Sequence, residues 1–195
     1  MVESTTTTTT TEAQPIVISG KYGRIWHSKP TISSSGSVST FAFRSGGSTG
    51  GRNTNLLLKG VAFSPLGDSI ATVDSVGRVY VLHVTSNRFA QLDCTGSAGT
   101  SVAFSTKTKR QVFVAFEGGY VKVYDTESST LQATLRCLRG SPHSVVVSDS
   151  GQKLLTCSTD SLHLWDVTTL NREGVLDCKE HGAVQARFAK EGIVT

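Results

Sequence analysis

From Asn55 onward the chain is built of short runs in which apolar and polar residues alternate, separated by clusters of Gly, Asp and Ser. VYVLHV at 79–84, VKVYDT at 121–126 and LHLWDV at 162–167 follow this rule. A period of two belongs to a β-strand with two unlike faces. The pattern also repeats over a longer distance. GVAFS at 60–64 returns as SVAFS at 101–105, as VVVS at 145–148 and as ARFA at 186–189, so Phe63, Phe104, Val147 and Phe188 are spaced by 41, 43 and 41 residues. Leu82, Tyr124 and Trp165 share a second register and are followed by His83, Asp125 and Asp166. Between the two anchors lies a middle strand, SIATV, QVFVAF or KLLTCS, which ends in a tight turn around Gly77, Gly118-Gly119 or Asp160. Glycine there suits a hairpin that requires positive φ.

One such unit cannot bury both of its faces, so copies must stack radially into a β-propeller. Tetratricopeptide and ankyrin repeats are shorter, and no stretch sustains apolar spacing at i, i+3, i+4 over helix length. HEAT repeats match in length, but richness in Thr, Val and Gly argues against helices. The pattern therefore predicts an all-β chain with units at about 55–96, 97–139 and 140–180 and a partial one at 181–195. An arc of three or four blades leaves blade faces and a strand edge uncovered. The expectation is thus an amino-terminal portion of a larger ring.

The first 54 residues differ in character. Residues 1–20, with threonine at every position from Thr5 to Thr11, carry too little apolar surface to offset backbone ordering, and predict a disordered tail. The threonine tract suits either a phosphate acceptor or a spacer. Residues 21–54 read as a short docking segment, KYGRIWHSKP, in which Ile25 and Trp26 face a neighbouring surface, followed by a Ser/Gly-rich loop from Ser33 to Thr54.

Composition narrows the function classes. Hydrophobic residues at 37% and charged residues at 17% are ordinary for a globular protein. Nineteen Lys and Arg against fifteen Asp and Glu give +4, scattered rather than striped, which is not the footprint of a nucleic-acid binder. The single basic cluster, Lys107-Thr108-Lys109-Arg110, falls at a turn between strands and reads as a solvated turn. No apolar run approaches the roughly 18 residues of a membrane helix, and no signal-peptide pattern opens the chain, so a cytoplasmic protein without membrane insertion is expected. Cys94, Cys137, Cys157 and Cys178 form no CxxC pair and read as reduced thiols in or near a core.

The unit resembles the WD40 repeat, and the third copy, TCSTDSLHLWD at 156–166, is the best match. In that family a buried tetrad of His, Ser or Thr, Asp and Trp ties each blade together. The resemblance assigns Ser158, Asp160 and Trp165 to three of its roles and His143 to the fourth. Here Gly140 is followed by Ser141 and Pro142 before His143, whereas the family usually sets histidine directly after glycine. The first two copies have Leu82 and Tyr124 in place of Trp, and Asp74 and Glu117 near the turn acid. The family implies a ring of about seven blades.

Other chemistry is poorly supported. Ser158, Asp160 and His143 resemble a triad in composition, but Ser158 follows a strand end without a nucleophile elbow. His27, His83, His163 and His181 lack ligand spacing, so no metal is expected. SGGSTGGR at 45–52 lacks the GK[ST] ending of a phosphate loop, and no cofactor is implied.

The order of parts is narrower than the repeat alone. IWHSKP, the SNRF after the first unit and the shortened STDSLHLWD turn are similar to the amino-terminal WD40 region of a TBC1 domain family, over residues 21–190. That resemblance implies a non-catalytic protein-interaction scaffold at the centrosome and ciliary base, with protein partners. It also implies a downstream domain of the Rab GTPase-activating TBC type, whose IxxDxxR and YxQ strings do not occur here. Small GTPases are expected as partners only through that downstream domain. A third alternative is a WD40 adaptor in an unrelated complex.

Overall fold

The computed structural model describes residues 57–108, 110–137, 140–180, 182–183 and 185–189, together with short strands at Val17–Ser19, Arg24–Ser28, Val38–Ala42 and Gly192–Val194. The chain divides into two compact units, residues 1–57 and 58–195. In the first, strands β1 (Val17–Ser19), β2 (Arg24–Ser28) and β3 (Val38–Ala42) pair antiparallel in the order β1-β2-β3. These strands fall within the segments read from sequence as tail, docking piece and loop. The threonine tract Thr5–Thr11 and the SGGSTGGR stretch lie outside the described residues.

The second unit is all-β among its described residues, and its repeats become sheets. β4 (Leu58–Phe63), β5 (Ser69–Asp74), β6 (Arg78–His83) and β7 (Arg88–Cys94) form one four-stranded antiparallel meander. The second sheet comprises β8 (Gly99–Phe104), β9 (Gln111–Phe116), β10 (Tyr120–Asp125) and β11 (Thr130–Arg136). The third comprises β12 (Ser144–Val147), β13 (Lys153–Cys157), β14 (Ser161–Asp166) and β15 (Arg172–Asp177). A two-stranded piece, β16 (Arg187–Ala189) with β17 (Gly192–Val194), follows. The first strands lie side by side, β4 next to β8, β8 next to β12, and β12 next to β16. This is the arrangement of an incomplete β-propeller, with first strands innermost.

Burial follows from that stacking. A sheet covered on both sides hides both sets of alternating side chains, so its middle strands lose the polar alternation. All of β5 and nearly all of β9 are buried. Val112, Val114 and Phe116 of β9 pack against Ala71, Val73 and Val81 of the first sheet. The intervening Phe113 and Ala115 turn the other way, onto Val145, Leu154 and Trp165 of the third. Leu155, Cys157 and Leu162 then meet Ala183 and Ala186.

Candidate functional site

The anchors that recur in sequence recur in space because each solves the same local problem. The serine that ends each first-strand anchor is buried where the first hairpin turns. Ser64 Oγ accepts the Ser69 N–H at 2.9 Å, Ser148 Oγ accepts the Lys153 N–H at 3.0 Å, and Ser105 Oγ accepts the Lys107 and Thr108 amides, both at 3.3 Å. A short hydroxyl side chain thereby replaces a missing backbone partner. Lys107 and Thr108 of the basic cluster occupy this turn in the second sheet, and Arg110 pairs with Glu127.

The outer hairpins are capped by the aspartates that follow the second anchor. Asp125 Oδ1 accepts the Glu127 and Ser128 amides at 2.9 and 2.8 Å, and Asp166 Oδ1 accepts those of Thr168 and Thr169 at 2.9 and 2.8 Å. For Asp125 and for Asp166 these turn hydrogen bonds, led by the backbone amide of Ser128 or Thr169, hold the carboxyl below the usual range. Each outer turn also places one non-glycine residue in the left-handed region: Asn87 at φ 55°, Ser129 at 57° and Leu170 at 58°.

Of the tetrad-type residues, Trp165 lies in β14 of the third sheet, and Ser158 and Asp160 lie in the turn that precedes it. Trp165, 5% exposed, donates its indole N–H to Thr156 Oγ1 at 3.2 Å, and Thr156 Oγ1 also lies 3.6 Å from Cys137 Sγ. Ser158 sits in the next turn, where its hydroxyl donates to the Ser161 carbonyl at 2.9 Å and lies 3.1 Å from Ser161 Oγ. Ser161 Oγ is in turn 3.0 Å from His163 Nε2, and the buried His163 ring stacks on Trp165 with centroids 6.0 Å apart. Asp160 is half-buried, and its carbonyl accepts the Cys178 N–H at 2.9 Å. His143 points onward, its Nε2 2.9 Å from the Ala183 carbonyl and 4.0 Å from Cys157 Sγ. The imidazole beside Trp165 is thus His163, while His143 joins the third sheet to the segment after it.

In the second sheet Tyr124 occupies the register of Trp165 and reaches between sheets. Its hydroxyl donates to Asp93 Oδ2 at 2.6 Å, and Lys122 Nζ lies 2.7 Å from the same oxygen. Burial alone would raise the Asp93 carboxyl, but the hydrogen bonds from Lys122, Tyr124 and the Cys94 amide bring it below the usual range. Burial, reinforced by the hydrogen bond and charge of Asp93, pushes the Tyr124 phenol far upward. The first sheet has its own buried acid, Asp74, which accepts the Val76 and Arg78 amides at 3.0 Å and the Arg78 guanidinium at 2.6 Å. In the equivalent turn of the second sheet Glu117 is exposed.

Of the four cysteines, Cys157 is buried, Cys137 and Cys178 are half-buried and Cys94 is exposed; all are free thiols. Burial pushes the Cys157 thiol up to about 11, and burial also raises Cys137. Ser158 and His143 share no hydrogen bond, and among the described residues no cluster of three or more His, Cys, Asp or Glu side chains could hold a metal ion. A cavity of about 290 Å³ lies between the outer turns of the first and second sheets, with Arg88, Phe89 and Glu127 on its walls.

No protein-family model matches the sequence. Among solved structures, hydrazine synthase of Kuenenia stuttgartiensis superposes with a TM-score of 0.62 over 69% of this chain and 40% of its own, at 11% identity, a likeness of fold alone. Among curated proteins, the chain is 30% identical over 166 residues to TBC1 domain family member 31 of Xenopus tropicalis and 29% identical over 167 residues to that of Homo sapiens. Both alignments cover 85% of this chain and 15% of the relative, so the chain corresponds to about one-seventh of the length of these proteins. Over most of its length, this propeller-type chain is therefore homologous to part of TBC1 domain family member 31.

Proposed function

We propose that the chain is a non-catalytic protein-interaction scaffold, a WD40-type propeller region that holds protein partners on its turns and blade edges at the centrosome or ciliary base. One observation carries this reading: three stacked four-stranded sheets share 29–30% identity with TBC1 domain family member 31. The polar side chains of the repeat support it. Those with the best geometry, in Trp165–Thr156, Tyr124–Asp93 and Ser148–Lys153, bind the fold to itself. A rigid frame with variable exposed turns is what a docking platform needs. Proximity labelling from the tagged chain in ciliated cells tests the proposal. Centrosomal and ciliary-base proteins should be enriched over a diffuse cytosolic control. A labelling pattern identical to that control would overturn it.

A second reading follows from the words TBC1 domain in the relatives' name. In it the chain is the propeller part of a Rab GTPase-activating regulator, with GTP hydrolysis stimulated by a separate TBC-type domain. Sequencing the reading frame around this chain and assaying the whole product against small GTPases tests it. Unchanged hydrolysis with an intact TBC motif pair would count against it.

A further inference from the structure

We propose that a small cavity on the second sheet receives the ammonium group of a lysine side chain presented by a protein partner. The cavity, of about 290 Å³, is lined by Thr108, Arg110, Gln111, Asp125 and Gln132, where the starts of β9 and β11 meet the end of β10. That volume lies at the lower end of ligand pockets and suits one side chain better than a cofactor. Its chemistry can be read from the third sheet, which carries the same arrangement with its cation built in. There Lys153 stands opposite Asp166, and its ammonium lies 3.5 Å from Asp166 Oδ2 and pairs with Glu173. The hydrogen bond to Glu173, reinforced by the charges of Glu173 and Asp166, holds that ammonium above its usual range.

In the second sheet Gln111 stands opposite Asp125 as Lys153 stands opposite Asp166, and Gln132 follows Asp125 by seven residues as Glu173 follows Asp166. Gln132 and Glu173 are each the residue that a register shift leaves unpaired in the outer strand. Three side chains thus sit at matching positions in the two sheets, but the second sheet has glutamine where the third has its lysine. Gln111 donates from Nε2 to Gln132 Oε1 at 3.0 Å, whereas its own buried Oε1 has no hydrogen-bond partner among the described residues. Asp125 Oδ1 accepts the Glu127 and Ser128 amides and the Ser128 hydroxyl, which leaves Oδ2 to a further donor. The first sheet satisfies these positions itself, because Ser69 and His83 face each other and bond at 2.9 Å. Arg110 is paired with Glu127, so the charge of Asp125 decides the sign of the ligand. What fits is a compact cation that carries several N–H donors and no acceptor, and a lysine ammonium is that group. A buried acceptor without a donor is costly, so satisfying Gln111 adds to the attraction of the carboxylate.

This inference rests on the scaffold reading and deepens it by naming the partner's chemistry. Its test is proton–nitrogen correlation NMR of the whole chain, following the side-chain amides of Gln111 and Gln132 while N-acetyl-lysine methylamide is added. Both amides should shift saturably at millimolar concentration, the range expected of one ammonium on a half-exposed carboxylate. The Nζ-acetylated form of the probe, and potassium chloride at equal ionic strength, should leave them in place. Gln111→Lys builds the third sheet's own cation into the cavity, and Asp125→Asn keeps the turn-capping oxygen without the charge. Each should weaken binding at least tenfold, read at the Gln132 amide. Gln91→Lys, the same charge change on exposed β7, should alter nothing. Dispersion of the backbone amide signals establishes that each variant is folded. Equal shifts with potassium chloride or the acetylated probe, or undiminished binding in Gln111→Lys, would overturn the site. Repeating the proximity labelling with Gln111→Lys separates the two ideas. Loss of neighbours would support the cavity as a partner site, and neighbours kept in full would overturn it and leave the scaffold standing. No specific neighbours for the unaltered chain would remove the scaffold reading, with the NMR titration deciding the cavity on its own.

Discussion

The Tyr124 hydroxyl donates to the Asp93 carboxylate across 2.6 Å, and this bond joins the third strand of the second sheet to the last strand of the first. Tyr124 is 1% exposed, so its hydroxyl has no access to water as a substitute partner. Lys122 lies 2.7 Å from the same carboxylate oxygen, and the three groups form a small network rather than an isolated pair. Removing the hydroxyl alone leaves Asp93 paired with Lys122. We expect Tyr124→Phe to lower the unfolding free energy by about 1–2 kcal/mol in urea titration. Asp93→Ala strands both the phenol and the ammonium and should cost more, about 2–3 kcal/mol. Equal stability of Tyr124→Phe and the unaltered chain would show that the bond contributes nothing to sheet-to-sheet cohesion.

The pH dependence has a definite sign. Asp93, Asp125 and Asp166 all have carboxyls held below their usual range, so the folded state binds fewer protons than the unfolded chain in the acid region. Their stabilisation is complete above the unfolded carboxylate value, about pH 4, and is lost as pH falls through the lower folded values. Tyr124 is displaced upward, so its contribution is complete below the ordinary phenol value, about pH 10, and is lost as pH rises beyond it. The urea midpoint should therefore fall below about pH 4 and again above about pH 10. In Asp93→Asn the acid limb should become shallower. A midpoint that rises on acidification would contradict the assignment.

Trp165 tests which hydroxyl ties the third sheet together. Its indole N–H is buried and bonds Thr156, so Thr156→Val removes the acceptor while keeping the shape. An unsatisfied buried N–H costs about 1–3 kcal/mol. Thr156→Val should destabilise by that amount and alter the tryptophan near-ultraviolet dichroism. Ser158→Ala, which leaves the Thr156 acceptor in place, should leave the tryptophan signal unchanged. The reverse ranking would place the indole's partner at Ser158.

These residues also show what could be read from the chain and what could not. Period-two runs and the roughly 42-residue recurrence gave strands, sheets and stacking, because Leu82, Tyr124 and Trp165 are held at equivalent depths, 3%, 1% and 5% exposed. Thr156 and Ser158 were not separable by alternation, since residues two apart share a face. Register decides between them. β13 ends at Cys157, so Ser158 lies beyond the ladder, and Leu154 rather than Ser158 stands opposite Trp165, leaving Thr156 within diagonal reach of the indole. The Tyr124–Asp93 bond crosses between sheets, and a repeat read one unit at a time carries no signal for it. The alternation of LHLWD did place His163 two residues before Trp165 and on its face, the one available clue to that stacked pair.

Sheet spacing depends on glycine where the first two sheets meet. A Cβ built at Gly99 would lie 2.0 Å from Val73 Cγ2 and 2.7 Å from Val73 Cγ1. Val73 is fully buried and β-branched, so it has little freedom to move aside. We expect Gly99→Ala to cost at least about 1–3 kcal/mol through overpacking. Val73→Ala, which opens space on the facing strand, should recover part of that loss in the double variant. Strict additivity of the two changes would mean that the sheets relax apart instead of clashing.

The outer turns give the last test. Ser129 adopts φ 57° at the position matched by Asn87 and Leu170, a region that side chains enter only at a cost. Ser129 is exposed, and its turn is already capped by Asp125, so replacing it changes backbone preference with little loss of packing. Ser129→Gly should therefore raise stability by about 0.5–1 kcal/mol, and the β-branched Ser129→Val should lower it by about 1–2 kcal/mol. Thermal unfolding of the two variants separates conformational strain from loss of contacts. Leu170→Gly makes the contrast sharper, because Leu170 also packs on the core between the second and third sheets. There the relief of strain should be outweighed by lost burial, and the net change should be destabilising. If Ser129→Gly proved no more stable than the parent, the left-handed residue would be a consequence of the hairpin's twist that carries no separate cost.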